Sequence, residues 1–264
     1  MPTDPRAFQQ AHQQWAAFLL QGRSGDALRA ARALTREIPA AMVAREPPLE
    51  GLIVTPILTL VRFGMWDEAS RSPAPPKPQK YATVIWLYAQ GMALTAAGDL
   101  GKAERALEQL RTAVAALPPD LIVGANPART LGDIATHVLR GEIAARHGRM
   151  DLAAEAFQAA VHAQDSTRED EPPDWYYPVR QSLGYLYIAL TKGPDAEKAF
   201  VESLRRMPDD PWSLLGLSEA YRIQNRSSEE SQFRQRFKQA WAKADVEFRV
   251  SRFEPFVQSK PPKK

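Results

Sequence analysis

The sequence predicts an all-α fold, a solenoid of five to six antiparallel helix pairs, and three observations carry that prediction. A short apolar helical stretch repeatedly runs into Gly or Asn, then an Ala-rich stretch, then a Pro; Leu94-Thr95-Ala96-Ala97-Gly98-Asp99-Leu100-Gly101-Lys102-Ala103 is the clearest copy. The recurrence is roughly 34 residues, the size of one helical hairpin, and no such unit buries its apolar face alone, so units stack. Strand signals are nearly absent. Clusters such as Leu52-Ile53-Val54 fall inside helical spacing, and the extended-looking Arg249-Val250-Ser251-Arg252-Phe253 is too short to form a sheet by itself. Finally, 44% hydrophobic and 25% charged residues argue against wholesale disorder.

The repeats follow in order over 1–245. The first, near 8–41, places Phe18, Gly22, Ala27, Ala31, Leu34 and Pro39 in step. The second, near 50–80, keeps Leu60, Gly64, Trp66 and Ala69, but Ser72-Pro73-Ala74-Pro75-Pro76-Lys77-Pro78 stops its second helix early, because Pro lacks the amide donor and clashes with the preceding turn. The third, near 84–117, matches at Leu87, Gly91, Leu94, Gly98, Ala103, Leu107 and Leu110. After a loop at Pro118–Arg129, the fourth, near 131–164, carries Gly141, Ala144, Gly148, Ala153, Phe157 and Ala160. The acidic run Asp165–Asp174 reads as a loop over the array edge. The fifth, near 177–210, has Leu183, Gly184, Tyr187, Ala196, Phe200 and Pro208, with Lys192-Gly193-Pro194 in its turn. The sixth, near 211–244, has Trp212, Leu217 and Tyr221, then Asn225 at the turn, and its second helix, bearing Phe233, Phe237 and Trp241, reads as a cap. Residues 246–264, ending in Lys260-Pro261-Pro262-Lys263-Lys264, read as a basic, partly disordered C-terminal tail.

These residue types in this order resemble tetratricopeptide repeats, which implies a right-handed superhelix. Three longer strings sharpen the likeness: Leu60-Val61-Arg62-Phe63-Gly64-Met65-Trp66-Asp67-Glu68, Ala135-Thr136-His137-Val138-Leu139-Arg140-Gly141-Glu142-Ile143-Ala144, and Glu171-Pro172-Pro173-Asp174-Trp175-Tyr176-Tyr177-Pro178-Val179-Arg180-Gln181-Ser182-Leu183-Gly184. With them the chain resembles the C-terminal part of a mostly uncharacterised group of bacterial tetratricopeptide-repeat proteins. Members of that group are longer at the N-terminus and often carry His where Gln9 and Gln181 stand, so the chain looks like a shortened form that keeps His12 and His137. The resemblance implies no reaction and no substrate.

Composition narrows the function. With no Cys there are no disulfides, thiolate metal sites or cysteine nucleophiles. The start, Met1-Pro2-Thr3-Asp4-Pro5-Arg6, lacks a leader pattern, and no apolar stretch is long enough for a membrane span, which predicts a cytoplasmic protein without membrane contact. A formal charge of +3, part of it in the tail, argues against nucleic acid as a partner. Nucleophile elbows, phosphate-cradling Gly loops and paired metal motifs are missing, so the reading is a non-enzyme with no catalytic residues and no cofactor.

In stacked hairpins the first helices line the inner surface. That collects His12, Thr55, Tyr88, Met92, Val138, Glu142, Gln181, Tyr185, Glu219 and Arg222, with Arg62, His137, Arg146 and Arg180 beside them. The four arginines suit a carboxylate because the guanidinium donates two parallel hydrogen bonds; pairing with Glu142 or Glu219 inside the array is the structural alternative. The Asn/Lys clamp by which some tetratricopeptide repeats hold chaperone tails has no counterpart here. His137 and Glu142 are five residues apart, roughly 140° around a helix, which predicts no metal site there, and His147 and His162 read as surface residues. Trp175, Tyr176 and Tyr177 beside Arg180 either form a ligand wall or plug the joint between the fourth and fifth units.

The leading expectation is therefore a binding module or scaffold presenting a concave groove to a peptide or protein. Its ligand-facing residues are Arg62, Tyr88, Glu142, Arg146, Trp175, Tyr176, Arg180, Gln181, Tyr185 and Arg222. One alternative is a small-molecule or metal sensor whose pocket is enclosed by the superhelix and the acidic 165–174 loop. Another is a structural homodimer.

Overall fold

A computed structural model of the chain describes residues 5–246. It is mostly α-helical, with helices packed against their neighbours in pairs. Five regular hairpins are α1 (Pro5–Leu20) with α2 (Ser24–Arg36), α7 (Lys80–Ala97) with α8 (Leu100–Ala115), α9 (Ala128–Arg146) with α10 (Met150–Asp165), α11 (Arg180–Ala189) with α12 (Gly193–Arg206), and α13 (Pro211–Ile223) with α14 (Ser227–Ala240). Between α2 and α7 the chain is broken into short pieces: α3 (Ala40–Arg45), a 3₁₀ turn (Pro47–Leu49), α4 (Glu50–Ile53), α5 (Thr55–Arg62) and α6 (Trp66–Ser70). Residues of the expected basic tail beyond Val246, including Arg249–Phe253, lie outside the described residues.

One local device recurs six times. The first helix of each pair ends on a residue at positive φ: Gly22, Gly64, Gly98 and Gly148, then Thr191 and Asn225. The amide of the following residue reaches back five positions, from Arg23 to Phe18 O, Met65 to Leu60 O, Asp99 to Leu94 O, Arg149 to Ala144 O, Lys192 to Tyr187 O and Arg226 to Tyr221 O. That residue opens the second helix with φ between −79° and −97° and ψ between 61° and 73°. This is the Schellman ending, which satisfies otherwise orphaned carbonyls and reverses the chain. Gly64 and Gly98 stand 34 residues apart, as do Thr191 and Asn225. In the fifth pair the sequence points to Lys192-Gly193-Pro194 as the turn, whereas Thr191 takes the left-handed position and Gly193 starts α12. Gly193 sits under Gln224 of the next hairpin, where a Cβ would lie 2.7 Å from Gln224 Cγ, so its smallness serves packing.

Small residues set against large ones hold the pairs together. A Cβ at Gly141 of α9 would lie 2.6 Å from the Phe157 ring of α10, and Cβ atoms at Gly184 and Gly216 would both meet Phe200, at 2.6 and 2.2 Å. Phe157 and Phe200 are fully buried. The loop expected at Pro118–Arg129 contains β1 (Ile122–Val123) and β2 (Asn126–Pro127), a two-residue antiparallel ladder and the one sheet among the described residues.

The array curls until its last hairpin meets its first. Trp241 covers Gly22, where a Cβ would lie 2.3 Å from the indole, and Asp245 accepts hydrogen bonds from the amides of Ser24 (2.6 Å) and Gly25 (2.9 Å) at the start of α2. Further in, the Arg62 guanidinium lies 3.8 Å from the Trp212 ring, and Phe63 and Trp212 are 6.5 Å apart. The second and sixth units are thus in direct contact. Among the described residues, no helix is long and apolar enough to cross a membrane.

Candidate functional site

The residues expected to face a ligand fall into three groups. Tyr88 of α7 meets Trp175 edge-on at 5.5 Å, and its hydroxyl is hydrogen-bonded to that of Tyr176 at 3.0 Å. Tyr176 and Tyr177 pack edge-to-face at 4.8 Å, and Tyr177 reaches Ser182 at 3.1 Å. All of these rings are buried, so the 175–177 segment fills the interior that the sequence leaves as a groove. Pro172 and Pro173 carry the chain inward, and Gln164 fixes it by donating to Tyr177 O (3.0 Å) and accepting from Val179 N (2.8 Å).

A buried polar row forms the second group. Arg62 donates to Gln181 Oε1 at 3.0 Å, Gln181 donates to Asp210 Oδ2 at 2.7 Å, and Asp210 caps α13 through Ser213 N at 2.8 Å. Burial pushes the Asp210 carboxyl up, with Arg62 opposing that shift. Tyr185 donates to Trp212 O at 2.6 Å, and burial, then Asp210, pushes its hydroxyl up. Glu142 is buried as well.

The third group lies at helix ends. Arg146 donates to Thr95 O (3.1 Å) and Ala96 O (2.6 Å), the last carbonyls of α7, as a cation at a helix C-terminus should. Arg180 forms a two-pronged pair with Asp165 at 2.6 and 2.5 Å, and Arg222 pairs with Glu219 at 2.7 Å. Arg146 and Arg180 thus bind separate elements to one another, whereas the Arg222 pair lies within α13. His147 pairs with Glu104 at 3.0 Å, His162 is exposed, and among the described residues no group of three or more His, Cys, Asp or Glu is placed to hold a metal.

Open space lies elsewhere, in a cleft of about 420 Å³ where the hairpin pattern breaks down. One wall is α1, with Phe8, Gln9, His12 and Trp15. Met42, Leu49, Leu52 and Leu58 of the broken stretch form the floor, Tyr81 of α7 stands behind, and Val123, Gly124, Asp170, Glu171, Pro172 and Asp174 close the far side. Each wall is fixed from beneath. Trp15 Nε1 donates to Thr59 Oγ1 at 2.7 Å, and His12 stacks on Trp15 at 5.2 Å with 9° between the rings. The buried Glu50 carboxylate accepts from Ala82 N at 2.8 Å, capping the first turn of α7 and so locating Tyr81. Asp174 Oδ2 accepts from Ala125 N (3.0 Å) and Asn126 Nδ2 (2.6 Å), tying the acidic segment to the β1–β2 turn.

The electrostatics are one-sided. Glu46, Asp170, Glu171 and Asp174 line the cleft, and none of its lining residues is Lys or Arg. Burial pushes the His12 imidazole down to about 4, against the pull of Asp170, so the ring is neutral near pH 7. Burial pushes the Asp174 carboxyl up, opposed by its bonds from Asn126 and Ala125. With apolar and aromatic walls and a few polar groups, the cleft falls in the size range of small-ligand sites, roughly 300–1,000 Å³.

Of the inner-surface residues, His12 alone lines this cleft, and the acidic 165–174 loop contributes Asp170, Glu171, Pro172 and Asp174. Phe8, Trp15 and Tyr81, which also line the cleft, are not among the residues that the sequence points to as ligand-facing. Pro47-Pro48, which interrupts the helices beneath the cleft, was the available signal. Compared with protein-family models and with curated proteins, the chain matches none.

Proposed function

We propose that this protein is a non-enzymatic binding module, a tetratricopeptide-type solenoid closed on itself, that seats a segment of a peptide or protein partner in the cleft between α1 and the 170–174 segment. Six equal Schellman turns, two pairs of them 34 residues apart, support the repeat reading. The observation that carries the seat is that the inner wall is covered by Trp175, Tyr176 and Tyr177, whereas the cleft stays open with apolar walls. Binding there is rigid display: the walls are fixed by the Trp15–Thr59, Glu50–Ala82 and Asp174–Asn126 bonds, so little ordering cost falls on association.

A displayed library of random peptides tests this. Selected peptides should bind the native protein and lose about tenfold or more in affinity for Gln9→Trp, which fills the mouth from an exposed position on α1. They should bind Arg222→Ala as they bind the native chain. Equal affinity for Gln9→Trp removes the cleft as the seat. The cleft's volume favours a second reading, a small-molecule sensor, and selection that yields no peptide while metabolites raise the melting temperature would favour it.

A further inference from the structure

Resting on the cleft as the seat, we infer that its ligand is an organic cation, an alkylammonium or guanidinium group carried on an apolar stem. Charge complementarity decides the sign. Four carboxylates line the cleft with no Lys or Arg among the lining residues, on a chain whose formal charge is +3, so the negative mouth runs against the molecule's average. An anion entering would find no cationic side chain among the lining residues and four carboxylates that repel it. A neutral ligand would gain the apolar walls and leave the charges unused.

The walls suit a cation with a hydrocarbon stem for a separate reason. The half-buried rings of Phe8 and His12 border the space, with the buried Trp15 and Tyr81 behind them, and a cation held near an aromatic face is attracted by its quadrupole while its methylenes cover apolar surface. His12 lies flat on Trp15 and is uncharged near pH 7, so it adds a ring and no competing positive charge. Asp174 is the built part of the site. Both of its protein bonds go to Oδ2, while Oδ1 lies over Gly124, where a Cβ would come within 1.6 Å. The glycine therefore leaves room for the carboxylate, and Asp170 and Glu171 stand exposed on the same rim. A lysine or arginine side chain of a peptide and a free alkylamine share this chemistry.

Isothermal titration with four probes tests it: n-hexylammonium, hexanol, hexanoate, and the capped tripeptide acetyl-Gly-Lys-Gly-amide. Hexylammonium should bind about tenfold or more tightly than hexanol, with hexanoate weakest. Asp170→Asn, an exposed change that leaves the fold alone, should reduce that preference severalfold, and Asp174→Asn should reduce it further with an unchanged circular dichroism spectrum. If the tripeptide binds as hexylammonium does, the source is a peptide side chain; binding of the free amine alone identifies a small molecule. Hexanol equal to hexylammonium overturns the cationic ligand while leaving the cleft as a seat. Silence from all four probes overturns the cationic ligand, and the Gln9→Trp comparison with displayed peptides then decides the seat separately.

Discussion

The hairpins from α7 to α14 and the stretch between α2 and α7 obey the same turn chemistry and end in opposite conditions. In the first region helices run 10 to 19 residues, and glycines on one helix receive rings from the next, as Gly141 receives Phe157. In the second, α3, α4, α5 and α6 have six, four, eight and five residues, cut by Pro39, Pro47, Pro48 and the 73–78 prolines. A helix of one or two turns cannot bury a continuous apolar stripe, and the space it leaves uncovered is the cleft. Open space thus arises where the hairpin pattern is interrupted, while Trp175, Tyr176 and Tyr177 fill the interior beside the regular pairs.

The comparison breaks most sharply at the glycines. Gly141→Leu or Gly216→Leu should cost about 3 kcal/mol or more in urea unfolding, since the side chain must displace Phe157 or Phe200 from a fully packed joint. Leu49→Ala in the broken stretch should cost under about 1 kcal/mol, because that half-buried side chain already borders open space. Similar costs at both places would mean that the two regions are packed alike. Next in size is the closure. Trp241→Ala removes contacts with Gly22, Trp212 and Phe237 and should cost about 2 kcal/mol, less than a fully buried Trp. Hydrogen exchange should then quicken in both α1–α2 and α13–α14. An open solenoid, in which each repeat touches only its neighbours, would quicken at the C-terminal end alone.

How much of this was legible follows from the range of the interactions. Gly98, Gly148 and Asn225 announce turns because left-handed backbone is a local requirement, and the 73–78 prolines announce the end of α6 for an equally local reason. Thr191 does not announce its turn, since a β-branched residue is disfavoured there; the tertiary fit of α11 against α12 overrides local preference. The closure of Trp241 on Gly22 joins residues more than 200 positions apart, and such a contact leaves no periodic trace. The same holds for the cleft, which draws on α1, the broken stretch, the β1–β2 turn and the 170–174 segment. Sequence reasoning picked out the Trp175–Tyr177 rings but left open whether they face a ligand or plug a joint. In the fold these rings are buried, with Trp175 packed edge-on against Tyr88.

The cleft itself responds to acid in a defined direction. The folded His12 stays neutral down to about pH 4, while the unfolded ring takes up a proton near its ordinary value of 6.5. The unfolded chain therefore binds more protons in between, so the group's contribution is complete above pH 6.5 and falls as pH drops toward 4. After allowance for the ring's residual contact with solvent, the loss is on the order of 1–2 kcal/mol, and His12→Gln should remove it. Proton–carbon correlation spectra locate the midpoint directly. A His12 midpoint near 6.5 would place the ring in water and dissolve the stacked wall on which the cationic site depends.

The smallest effect separates scaffold from site at Arg180, which borders the aromatic segment yet spends both prongs of its guanidinium on Asp165. Burial raises the Asp165 carboxyl, but the bonds from Arg180 and the charge of Arg206 outweigh it and hold it below the ordinary range. Its stabilisation is thus present above the unfolded value near 3.8 and fades as pH falls through the folded one. Arg180→Ala should cost about 1 kcal/mol at neutral pH, less than a lone charged pair because Arg206 remains 2.9 Å from Asp165, and the cost should shrink in acid. Probe affinity at the cleft should not change. A variant that folds normally and loses hexylammonium binding would instead put Arg180 in the site and carry the functional surface back to the aromatic segment.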